Sequence, residues 1–211
     1  MRTRSIPCIL LAILLITALL LALTGCFSQL TITEFDSIDD YGKIIGNGSD
    51  RRAQEMFDEM FPEKIEDYFD EPVYHYIAFY GVDARAFEIA LEFTIKDTET
   101  FNAFVEKAAA GKDCEVFPYD ETYQCYTISS PWMFLDDEAP CTECENRPTH
   151  YHIGSADIEL MLVQPDTQCI IFVGLGVSDG GGVDTYDLGW FFDRFGIDPT
   201  VYEAENTWRA P

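Results

Sequence analysis

From Phe87 to Ile95 every odd position holds a large apolar residue, while Glu88, Ala90, Glu92 and Thr94 fill the even ones. Side chains in an extended strand alternate between two faces. The pattern therefore predicts a strand with one face buried and the other towards solvent. Upstream, residues 73–80 are apolar on one face and Tyr-rich on the other. The short link Gly81-Val82-Asp83-Ala84 joins the two stretches as an antiparallel hairpin. Further strands are predicted near residues 122–129, 157–163 and 169–177, with Pro165-Asp166 turning the last pair.

Three segments follow the helical period instead. Ala53, Met56, Phe57, Met60 and Phe61 fall at spacings of three and four, with Asp50 placed to cap the start and Pro62 to stop the end. Phe101, Phe104, Val105, Ala108 and Ala109 repeat the stripe after Asp97 or Thr98, and Gly111 sits at its end. Leu188, Trp190, Phe191, Phe192 and Phe195 form a last helix, with Asp184 as the expected cap and Gly196 and Pro199 beyond it. The predicted order is α, β, β, α, β, β, β, α. Hairpins dominate it, so the fold class is α+β: a mainly antiparallel sheet of about five strands with helices packed on one face. Phe87, Leu91, Phe101 and Phe104 are expected in the core between the sheet and the second helix.

The N-terminus has another pattern. Arg2 and Arg4 precede a run that is almost wholly apolar from Cys8 to Leu23, the layout of an export signal. The run ends in Leu23-Thr24-Gly25-Cys26. This string resembles the lipobox of bacterial lipoproteins, in which the Cys thiol receives a diacylglyceryl group and becomes the first residue after cleavage. The resemblance covers the first 26 residues only. It implies a signal peptide over 1–25 and a lipidated Cys26. Beyond it Asp36, Asp39, Asp40 and the Gly46-Asn47-Gly48-Ser49 cluster argue against a packed element, so 26–49 is expected as the lipidated Cys and a tether, and 50–211 as a single globular domain. The resemblance also places the protein on the extracytoplasmic face of a cell membrane, with the membrane as partner through the lipid on Cys26. Two acyl chains hold stably where one holds marginally.

Charge narrows the partners. With 38 acidic and 13 basic residues the chain carries a net charge of −25. Nucleic acid is excluded, because phosphate binding needs clustered Lys and Arg. Docking of the folded part on anionic headgroups is excluded for the same reason. Aromatic residues make up 14% of the chain, which argues for a packed core despite the charge.

Candidate chemistry centres on Cys and His. Cys114 and Cys125 flank one loop and are the favoured disulfide, since exported proteins form such bridges. Cys141-Thr142-Glu143-Cys144 is followed by His150-Tyr151-His152, and two thiolates with two imidazoles make a tetrahedral zinc set. An oxidised Cys141–Cys144 pair would remove two of those ligands, so no cofactor is expected on the preferred interpretation. Gly174-Leu175-Gly176 lacks the third glycine of a dinucleotide fingerprint. The Asp179 to Asp187 loop lacks calcium-hand spacing, and neither a nucleophile elbow nor a zinc-protease helix motif is present. The sequence therefore predicts a lipid-anchored binding or scaffold domain without catalytic machinery, for a protein or small-molecule partner that it does not specify. A metal or thiol-redox protein built on Cys141, Cys144, His150 and His152 is the alternative.

Overall fold

A computed structural model describes residues 31–44, 51–80, 85–128, 131–135, 152–178, 183–184 and 188–197. Along these residues run β1 (Thr31–Phe35), a 3-10 turn (Ile38–Asp40), α1 (Arg51–Met60), β2 (Asp70–Tyr80), β3 (Arg85–Thr94), α2 (Thr98–Ala108), β4 (Asp113–Val116) and β5 (Gln124–Thr127). They are followed by β6 (Trp132–Leu135), β7 (His152–Gln164), β8 (Cys169–Ser178), β9 (Val183–Asp184) and α3 (Gly189–Phe195). One antiparallel sheet orders the strands β1-β2-β3-β8-β7-β5-β4, and β6 and β9 also pair with β7. The α+β class and the antiparallel sheet are as expected. The number of strands is nine among the described residues, not five, because β1, β4, β6 and β9 are too short to show an alternation.

The hairpin of β2 and β3 has Tyr76 opposite Ile89 and Ala78 opposite Phe87. The odd residues of β3 join Tyr74, Tyr76 and Phe172 on one face, under α1 and α2. The other face is covered as well, which corrects the expectation of helices on one side. Leu188, Phe191 and Phe192 pack there on Ile158, Leu160, Ile171, Val173 and Leu175. The physical reason lies in β8 and in Leu160 to Val163 of β7, whose apolar residues run nearly without interruption, the signature of strands buried on both faces. Ala86 and Ala90 on the even positions of β3 are buried too. Residues Gly174 and Gly176 serve this packing. A Cβ on Gly174 would lie 2.7 Å from Ile89 and 3.3 Å from Met56, and one on Gly176 would lie 2.4 Å from the Phe87 ring.

The segment expected as a tether belongs in part to the fold. β1 pairs with β2, and Phe35, Ile38, Tyr41 and Ile44 pack against the α1 core. The folded unit therefore includes residues from Thr31 on instead of starting at residue 50. Its acidic residues Asp36, Asp39 and Asp40 sit between those apolar contacts and obscure them. Asp97 caps α2 as expected, accepting the Thr100 N–H at 2.8 Å. Asp184 does not cap α3: it lies in β9, opposite His152, and Leu188 occupies the cap position without a side-chain bond. Asp50 and Pro199 lie outside the described residues.

Candidate functional site

Only Phe101 of the α2 stripe is buried; Phe104, Val105, Ala108 and Ala109 are half-buried. Their incomplete cover has a geometric cause. A cleft of about 530 Å³ opens between α2 and the C-terminal end of α1. That volume lies within the range of small-ligand pockets, roughly 300–1,000 Å³. Phe61, Phe104 and Phe172 make its aromatic base, with Phe61 5.6 Å and Phe104 6.4 Å from Phe172 between ring centres. Phe104 thus partly faces the cleft, where the sequence predicted full burial.

The polar residues of the cleft divide by wall. On the α1 side stand Glu59, Glu63 and Glu66, with Lys64 bonded to Glu66 at 3.0 Å. On the α2 side stand Thr100, Lys107 and Lys112. Lys112 Nζ donates to the Ala108 carbonyl at 2.6 Å, which satisfies a helix-end acceptor. Burial lowers the Lys112 pKa, and the nearby Glu159 carboxylate partly opposes this. Behind the cleft, Arg52 donates to Asp157 at 2.9 Å and to Glu159 at 3.2 Å. The Glu159 side chain is 1% exposed, and burial raises its pKa while Arg52 works against the rise.

A second polar cluster lies on the opposite face, under α3. Glu88 is fully buried and accepts the backbone N–H groups of Trp190 at 3.2 Å and Phe191 at 2.7 Å. A carboxylate at a helix start satisfies free donors and opposes the helix dipole. His75 Nε2 lies 3.6 Å from the same carboxylate, its Nδ1 lies 2.6 Å from Asp36, and its ring stacks on Trp190. Farther along β3, Glu92 accepts two bonds from Arg194 in the last turn of α3, at 2.7 and 3.0 Å. Two carboxylates four residues apart on one strand face thus hold the two ends of one helix. Apart from His75 Nε2, which has no hydrogen-bond partner, the polar groups of this cluster bind one another and clamp α3 to the sheet, whereas the cleft is open.

The residues singled out in the sequence fall elsewhere. Cys26, Cys141, Cys144 and His150 lie outside the described residues, and His152 contributes its backbone to β7. Cys114 stands opposite Tyr126 and Cys125 opposite Glu115, so alternation points the two thiols to opposite faces. Both are free, Cys114 exposed and Cys125 buried, and burial pushes the Cys125 pKa up to about 12. Sequence reasoning missed Lys107, Lys112 and the Glu88–His75 pair. Among the described residues no helix is long and apolar enough to cross a membrane.

No protein family, curated protein or solved structure matches the chain.

Proposed function

We propose that the chain is a lipid-anchored extracytoplasmic binding protein, tethered through Cys26, whose domain takes a small amphipathic ligand in the cleft between α1 and α2. The observation that carries the binding role is the aromatic-based cleft along the half-covered stripe of α2. Apolar surface left open beside a few convergent charged groups is the usual composition of a ligand pocket. The anchor is supported by Leu23-Thr24-Gly25-Cys26 at the end of the apolar run.

The lining groups suit holding more than transforming a ligand. Lysines, glutamates, a threonine and a tyrosine border the cleft, and the Thr100 hydroxyl is committed to Asp97 at 2.6 Å in the N-cap of α2. Binding can be tested by thermal unfolding of the full-length protein in detergent with a set of neutral, anionic, cationic and zwitterionic aromatic molecules. Ala103, exposed on α2 and lining the cleft, provides the control: Ala103→Trp fills the space. At least one molecule should raise the melting temperature of the parent chain and leave Ala103→Trp unchanged. Absence of any shift, or shifts that persist in the filled variant, would remove the cleft as the site.

A further inference from the structure

The chain has five lysines, at 43, 64, 96, 107 and 112, and three of them line the cleft. In a protein of net charge −25 that concentration is local and opposes the surrounding field. Lys64 is neutralised by Glu66, which leaves Lys107 and Lys112 on one wall and Glu59 and Glu63 on the other. Lys107 and Glu63 have no ion-pair partner among the described residues, and Glu59 reaches only Arg52, at 4.0 Å. Oppositely charged walls therefore border one cleft without an ion pair closing across it among the described residues. Between them lie the rings of Phe61, Phe104 and Phe172.

We infer that the ligand is a zwitterion with a large apolar body, of the kind an amino acid or short peptide with free termini presents. This rests on the cleft being the binding site, and it adds the ligand's chemistry. The apolar body lies over the aromatic base, the carboxylate is directed to Lys107 and Lys112, and the ammonium to Glu59 and Glu63. A purely anionic ligand would meet the repulsion of the whole domain and of the α1 wall. A purely cationic one would leave the two lysines as like charges beside it. Only a dipolar molecule matches both walls, and charge complementarity of this kind sets orientation and specificity.

The test uses the full-length protein in detergent and three probes: the dipeptide Phe-Phe with free termini, its N-acetyl form, and its C-terminal amide. Calorimetric titration should give Phe-Phe an affinity about tenfold above either blocked form, the loss typical of one charge-assisted contact. Lys107→Gln should weaken Phe-Phe and N-acetyl-Phe-Phe several-fold and leave the amide unchanged. Glu63→Gln should weaken Phe-Phe and the amide and leave the N-acetyl form unchanged. Both positions are exposed, so folding is preserved in these variants. Equal affinities for the three probes would overturn the inference, as would tightest binding of the cationic amide. So would no dipeptide binding while neutral or anionic aromatics still stabilise the parent chain and not Ala103→Trp; that last outcome leaves the cleft as a binding site and rejects only its zwitterionic ligand.

Discussion

Glu88 Oε1 accepts the backbone N–H of Phe191 at 2.7 Å, from 103 residues away in the chain. The same carboxylate holds the Trp190 N–H and lies beside His75, so β2, β3 and the start of α3 meet at one buried charge. A buried carboxylate is tolerable only when donors surround it. Here the donors are the free amides of a short helix that has no side-chain cap of its own.

Removing that carboxylate should be expensive. Glu88→Ala leaves two helix-start amides without their acceptor and removes the carboxylate beside the half-buried His75 ring. The expected loss is about 3–5 kcal/mol, the usual cost of breaking a buried charged pair by deleting one member. Glu88→Gln keeps one acceptor and should lose less, about 1–3 kcal/mol. Urea unfolding of the two variants and the parent chain measures both. A loss below about 0.5 kcal/mol for Glu88→Ala, within the range of surface substitutions, would contradict the clamp.

His75 makes stability depend on pH. Burial alone would lower its pKa, but the Glu88 and Asp36 carboxylates outweigh that and hold it above the ordinary imidazole value. The folded state therefore binds the proton more tightly than the unfolded chain. The contribution is complete below the ordinary His pKa, about 6.5, and is lost as pH rises through the elevated folded value. Urea midpoints of the parent chain should fall as pH is raised from roughly 6 through this range. His75→Gln should lack that part of the fall. Parallel pH profiles for the two proteins would show that His75 does not carry it.

Most of the sheet was legible because residue patterns repeat along it. Phe87 to Ile95 alternate, and β7 and β8 are apolar enough to be recognised without their partners. The position of α3 was not legible. Its apolar residues announce a helix, but nothing local says which sheet face they cover. That depends on Glu88 and Glu92, about a hundred residues earlier, which read as solvent-facing. The cleft was hidden for a related reason. Phe104 and Lys107 look like the inner and outer faces of one ordinary amphipathic helix. Only the spacing between α1 and α2 turns them into the base and wall of a site. The Cys114–Cys125 bridge was predicted from proximity in sequence, and a one-residue offset in the β4–β5 register sets the thiols on opposite faces.

The anchor has its own test. Cys26 ends a lipobox-like string, so metabolic labelling with a fatty acid should mark the parent chain. Cys26→Ala should abolish the label and leave either the precursor or a released domain. Label retained in Cys26→Ala would place the lipid elsewhere or reject the anchor.

The cleft as the ligand site is tested most directly by carbon-13 methyl NMR of methionine in the full-length protein. Met60 lines the cleft, whereas Met56 packs by Gly174 and Met161 is buried in the same helix-covered core without lining the cleft. Titration with an aromatic molecule that raises the melting temperature should move the Met60 methyl resonance through the ring current of the bound molecule. The Met56 and Met161 resonances should stay within the change seen in Ala103→Trp. A Met60 resonance that does not move at saturation, or that moves equally in the filled variant, would contradict binding between α1 and α2.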